Sequence, residues 1–168
     1  MSEADATALL IPDGRLRFRG ATYRACFGRG GIRADKQEGD GATPIGVLPL
    51  RRVLYRADRV ARLVARVPVE PIAPQDGWCD DPRDPAYNRA VTLPYAGRHE
   101  ELWRRDGVYD VIGVLGWNDA PVMRHRGSAI FLHVATPDYA PTEGCVALAL
   151  ADLTALLAAG CFAIEVQG

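Results

Sequence analysis

The chain predicts a mainly β domain, a mixed β-sandwich with a few short helices. Three observations carry that expectation. Short apolar runs alternate with polar residues at a period of two, the pattern of half-buried strands. Gly, Pro, Asn and Asp punctuate those runs every few residues. Helical spacing surfaces in only two or three short stretches, without the strand–helix rhythm of a doubly wound sheet.

Taken in order, residues 1–27 read as N-terminal strands: LLIP, LRFRG and ATYRACFG, with PDG at 12–14 as a turn. Residues 28–44, GRGGIRADKQEGDGATP, read as a long polar loop. VLPLRRVLYR (47–56) returns to strand character, and ADRVARLVARV (57–67) places Val60, Leu63, Val64 and Val67 at helical spacing. Residues 68–85 hold five prolines, which exclude an inner strand or a long helix. They read as a stiff ordered loop around Trp78, a candidate lid. HEELWRRD (99–106) reads as a short helix; YDVIGVLGW (109–117), SAIFLHVA (128–135) and CVALAL (145–150) read as core strands. DLTALLAAG (152–160) has a helix start at Asp152 and a glycine stop, and CFAIEVQ closes the chain as a strand.

The 168 residues fit one domain, 1–168, with a sizeable core. A net charge of −1 gives no electrostatic footprint for nucleic acid. No apolar run is long enough to span a bilayer, and MSEADATALLIPDGRLRFRG shows neither the basic nor the apolar part of an export signal. Cys26, Cys79, Cys145 and Cys161 form no C-x-x-C pair and do not interleave with His99, His125 and His133 at zinc spacing. No metal, cofactor or disulfide framework is expected, and Cys26 and Cys161 read as buried strand residues.

The stretch PTEGCVAL (141–148) is where chemistry concentrates. His133 lies in a strand-like run, and eleven residues of loop character separate it from Cys145. Two adjacent strands joined by such a loop would set an imidazole beside a thiol, the pair that a cysteine nucleophile needs. Gly144 lets backbone approach a substrate, and its amide, with that of Cys145, would face an oxyanion. The hydroxyl of Thr142 would hold the loop. The residues alone leave two readings open: Cys145 is a nucleophile, or it is a small core residue beside a satisfied core histidine.

The block IFLHVATPDYAPTEGCVAL resembles the catalytic signature of the L,D-transpeptidase (YkuD) family. Thr142, Glu143, Gly144 and Cys145 match its Ser/Thr-x-Gly-Cys segment, and His133 matches the upstream histidine. DKQEGDGATPIGVLPL (35–50) resembles the family's second motif, K-x-E-G-D-x-x-T-P-x-G. The resemblance implies a YkuD-like β-sandwich and a cysteine acyl-enzyme formed on peptidoglycan stem peptides, with Cys145 as nucleophile and His133 as base and then acid. A backbone carbonyl near the histidine completes the family's triad, so Asp138 need not orient it. The same resemblance implies action in the periplasm or cell wall. An amine acceptor gives a crosslink; water makes the enzyme a carboxypeptidase or amidase. A non-catalytic peptidoglycan-binding domain is the reading from another class.

Three departures bear on specificity. Many relatives carry Arg or Asn where this chain has Ala147, so donor recognition is expected to be relaxed or altered, with 3,3 or 1,3 links as outcomes. Glu143 stands where a neutral or basic residue is usual, and is expected to face solvent or an acceptor amine. Lys36 is the only lysine beside 19 arginines and lies in the upstream motif. Trp78, Trp117 and Asn118 complete the set of candidate substrate-binding residues.

Overall fold

The structure, a computed structural model, describes residues 4–168; the first three residues of the 1–27 segment lie outside it. The N-terminal alternation yields β1 (Thr7–Ile11), β2 (Arg15–Phe18) and β3 (Ala21–Cys26), with Ala8, Leu10, Leu16 and Phe18 buried and Arg15 and Arg17 outside. The polar loop contains two short strands paired in parallel, β4 (Ile32–Arg33) and β5 (Thr43–Pro44). Then follow β6 (Gly46–Tyr55), β7 (Val69–Pro71), β8 (Asp76–Cys79), β9 (Ala90–Thr92), β10 (His99–Glu101), β11 (Val111–Leu115), β12 (Phe131–Val134) and β13 (Val146–Leu148). The helix α1 (Leu150–Ala158) and β14 (Ala163–Val166) close the described chain.

The sheet is a closed barrel rather than the expected sandwich. Pairing runs β11-β12-β13-β3-β2-β1-β14-β6 and returns from β6 to β11. The ten residues of β6 are the physical reason: Gly46–Pro49 pair with β14, and Leu50–Tyr55 pair with β11. One long strand therefore joins both ends of the sheet into a ring, and β7 adds to β6 in parallel as an edge strand. Inside the barrel lies the main core, which includes Leu10, Leu48, Val53, Val111, Leu132, Val146 and Leu148. From α1, Leu153, Leu156 and Leu157 add to it.

Three local expectations are corrected. HEELWRRD is not a helix: His99–Glu101 pair with Cys79–Gly77 of β8, so sheet pairing overrides local helical preference. The proline-rich segment does contain an inner strand, because β8 is the centre of the three-stranded sheet β10-β8-β9. Its four residues, Asp76–Cys79, fall between prolines and need no missing amide. Residues 57–67 form no helix; Leu63 is buried and Val60 and Val67 pack on the main core from irregular backbone, while Val64 is 70% exposed, so packing is met without helical turns.

Among the described residues that leaves one α-helix, beside a single 3-10 turn at Ala4–Ala6, instead of several short helices. It begins at Leu150, two residues before Asp152, whose carboxylate sits in the first turn where the helix dipole favours it. The glycine stop holds. Gly160 adopts φ +90°, and the amides of Gly160 and Cys161 bond the carbonyls of Leu157 and Leu156, closing the helix end.

Candidate active site

Strand alternation decides which side chains leave the barrel. In β12, Leu132 points into the core, so Phe131 and His133 point out; in β13, Val146 and Leu148 point in, so Cys145 and Ala147 point out. The two strands are parallel, with His133 level with Ala147. Cys145 is therefore a diagonal neighbour of His133 on one face. A second apolar cluster covers that face and includes Trp78, Leu102, Tyr109, Phe131 and Cys145. It lies between the barrel wall and the three-stranded sheet, where Trp78 stands edge-on to Phe131 at 5.2 Å.

A cavity of about 490 Å³ opens beside this cluster. It is lined by Cys145, His133, Ala147, Thr142, Glu143 and Lys36 among the expected residues. Trp78, Trp117 and Asn118 line other parts of the molecule. Trp78 donates its indole N–H to Asn88 at 3.0 Å behind Phe131. Trp117 donates to the Arg126 carbonyl, and Asn118 braces the turn at Met123 and Gly127. The proline-rich segment meets the cavity at Asp80, next to β8 of the three-stranded sheet.

His133 is 7% exposed, and its Nδ1 lies 2.9 Å from the carbonyl of Val134. A carbonyl only accepts, so Nδ1 carries the hydrogen and Nε2 presents a lone pair. Burial pushes the imidazole down to about 4, so it is neutral at physiological pH. Asp138 does not orient it; its carboxylate takes the Thr136 hydroxyl and the Ala140 amide within its own turn.

Cys145 is also buried. Its thiol donates to the Ala129 carbonyl at 3.2 Å and receives the Phe131 amide at 3.4 Å. Burial pushes the thiol up to about 12, and the charge of Glu100 adds to that rise. The resting pair is thus thiol and neutral imidazole, not thiolate and imidazolium.

The loop around the cysteine is held from several sides. Gly144 has φ +135°, and a Cβ there would stand 2.8 Å from the Ala42 carbonyl, so only glycine fits. Thr142 Oγ1 donates to the Cys145 carbonyl at 2.6 Å and accepts the Gly144 amide at 3.1 Å. The Gly144 amide thus faces the Thr142 hydroxyl within the loop. Glu143 points out to Arg29, 2.9 Å away. From the upstream motif, Thr43 Oγ1 donates to the Gly144 carbonyl at 2.7 Å and accepts the Gly28 amide at 2.9 Å.

Lys36 is 3% exposed, with Nζ 2.5 Å from Asp40 and 2.7 Å from the Gln37 carbonyl. Its ammonium braces its own loop while lending the cavity some positive field. Glu38 accepts from Tyr87 and Ser128 and so joins this loop to the chain just before Ala129. Ala147 is fully buried, level with His133 on one side and Cys26 on the other; Cys26 consequently lines the cavity floor.

Sequence reading missed Glu100, Tyr109 and Asn88. Tyr109 stands edge-on to His133 at 5.4 Å and donates its hydroxyl to Glu100 at 2.7 Å. Asn88 takes the Trp78 indole and the Ala129 amide on Oδ1 and donates to the carbonyls of Trp117 and Asn118. Each comes from a segment far from the motifs, and no local pattern marks it. Among the described residues no cluster of His, Cys, Asp and Glu is placed to hold a metal ion, and no helix is long and apolar enough to cross a membrane.

A family model for the YkuD L,D-transpeptidase catalytic domain matches residues 3–159. No curated protein and no solved structure matches the chain.

Proposed function

The chain belongs to the YkuD family of L,D-transpeptidase catalytic domains, and from that premise we propose that it joins peptidoglycan stem peptides through a thioester on Cys145, with His133 as general base and acid. The observation that carries this reading is the shared face of β12 and β13. It sets Cys145 and His133 in one cavity, with the His133 tautomer fixed by the Val134 carbonyl.

The reaction begins with a turn of the thiol away from the Ala129 carbonyl, toward Nε2 of His133. Sulfur attacks the donor carbonyl as its proton passes to Nε2, because neither group is ionised beforehand. The Cys145 amide is the loop donor for the oxyanion, since the Gly144 amide serves Thr142. Collapse breaks the C–N bond, and the imidazolium gives its proton to the leaving amine. An acceptor amine then attacks the thioester and passes a proton to Nε2 of His133; the new C–N bond forms, the C–S bond breaks, and sulfur takes that proton from His133. Peptidoglycan as substrate places the work in the periplasm or cell wall.

Ala147 sets the donor end. A methyl group level with His133 leaves the cavity wide and without a cation at that point, which supports acceptance of a donor other than the usual stem, giving 3,3 or 1,3 links. The test is incubation with purified muropeptides and identification of the new bond, alongside mass spectrometry after a carbapenem. An adduct on the wild type that is absent from Cys145→Ala supports the nucleophile. An equal adduct on both proteins, or none on either, counts against it.

A further inference from the structure

We propose that Glu100 is the receptor for the acceptor: its carboxylate binds the ammonium group of an aliphatic primary amine and delivers it to the thioester. The proposal rests on the acyl-transfer reading above and assigns the second half of that reaction.

Glu100 comes from the covering sheet. Its strand pairs with β8, level with Trp78, and its side chain lines the cavity that holds Cys145 and His133. Its hydrogen-bond partner is the Tyr109 hydroxyl, and the Tyr109 ring stands edge-on against His133. One aromatic ring thus separates the carboxylate from the general base.

The charges around it are already matched. Lys36 pairs with Asp40 at 2.5 Å, Arg98 with Asp80 at 2.9 Å, and Arg104 with Asp106. Glu100 forms no ion pair among the described residues, although it lines the same cavity as those three cations. The Arg104 charge reaches Glu100 from over the Tyr109 ring but forms no direct pair with it, and a largely buried carboxylate without a direct ion pair is costly unless something supplies one.

During acylation this carboxylate is a handicap, because its charge opposes ionisation of the Cys145 thiol. The handicap ends once sulfur is a neutral thioester. From then on the cavity must admit an ammonium, and a negative charge beside the thioester favours its entry. Burial raises the affinity of Glu100 for a proton, which suits it to the next event. The ammonium gives one proton to the carboxylate and becomes a free amine. The amine nitrogen bonds the thioester carbon, the C–S bond breaks, and the second nitrogen proton passes through His133 to sulfur. Glu100 returns its proton to solvent, so the net products are an amide, the thiol and one proton.

The experiment compares the full-length wild type with Glu100→Gln, which keeps an acceptor for the Tyr109 hydroxyl and removes the charge. Three readouts are taken: carbapenem acylation of Cys145, KM for a lysine-ended peptide acceptor, and resolution of the acyl-enzyme by hydroxylamine, which is uncharged near neutral pH. The variant should acylate at least as fast as wild type. Its KM for the cationic acceptor should rise at least tenfold, with product diverted to hydrolysis, while hydroxylamine resolves both enzymes alike. Glu100→Asp should keep the preference for the cationic acceptor. Equal use of the cationic acceptor by wild type and Glu100→Gln overturns the proposal, and so does a common loss for both acceptors. A wild type that forms no acyl adduct overturns the transpeptidase reading itself.

Discussion

The Thr43 hydroxyl donates a 2.7 Å hydrogen bond to the carbonyl of Gly144. It also accepts the Gly28 amide, and it is fully buried. One side chain thus ties the segment at 35–50 to the loop that presents Cys145, a hundred residues later. This bond gives a physical reason for the upstream motif: it braces the loop that carries Cys145.

Thr43→Val keeps the shape and removes the hydroxyl, leaving the Gly28 amide and the Gly144 carbonyl without that partner. Two buried polar groups left unpaired cost about 2–6 kcal/mol together. Urea unfolding should show that loss. Carbapenem acylation of Cys145 should slow as well, because the cysteine loop loses its brace. Wild-type stability in the variant would mean that the loop is held elsewhere.

Cys145 should be a slow nucleophile toward reagents that bring no binding of their own. Its thiol is pushed up to about 12 by burial, so the thiolate fraction near neutral pH is very small. Alkylation by iodoacetamide, followed by mass spectrometry at this cysteine, should rise about tenfold per pH unit above pH 8. Acylation by a carbapenem at pH 7 should outpace it, since His133 takes the proton only as the bond forms. A plateau in alkylation below pH 8 would reveal a preformed thiolate and overturn the neutral-pair mechanism.

His133 makes stability depend on pH in a defined window. Its pKa is about 4 in the folded protein against 6.5 for the free side chain, so the unfolded chain binds the proton more readily. Stability from the neutral buried imidazole is complete above pH 6.5. It is lost as pH falls from 6.5 toward 4, by up to on the order of 3 kcal/mol. Several carboxylates titrate in the same range, so the comparison is between wild type and His133→Gln. The difference in unfolding free energy between pH 7 and pH 4 should be smaller in the variant. Equal pH dependence would mean that the imidazole is solvated.

The two motifs and the strand faces were legible because each depends on neighbours in sequence. Alternation in IFLHV and CVAL places His133 and Cys145 outside the barrel and Leu132 and Val146 inside it. What was not legible depends on distant partners. The barrel closes because β6 pairs with two strands at once, and nothing within GVLPLRRVLY announces either pairing. HEELWRRD has helical composition but meets the open side of β8, so it extends and carries Glu100 over the cavity. The contact of the Gly144 amide with Thr142, two residues earlier, was not legible either, since it depends on the turn the loop makes.

Asn88 should affect the cysteine without touching it. Ala129 holds φ +52°, a conformation that costs a residue with a Cβ about 1 kcal/mol or more. Asn88 Oδ1 accepts the Ala129 amide at 3.0 Å and keeps it there, and the Ala129 carbonyl receives the Cys145 thiol. Asn88→Ala removes that acceptor and also strands the Trp78 indole and two carbonyls. The expected cost is about 3 kcal/mol in urea unfolding, with slower acylation of Cys145 by a carbapenem. Ala129→Gly relaxes the same backbone without breaking a bond. It should leave stability within about 1 kcal/mol of wild type, the relief of the left-handed strain being offset by glycine's greater freedom in the unfolded chain. If acylation slows in Asn88→Ala but not in Ala129→Gly, the Asn88 hydrogen bond positions the Ala129 carbonyl. If neither variant slows it, the Ala129 carbonyl does not govern the resting thiol.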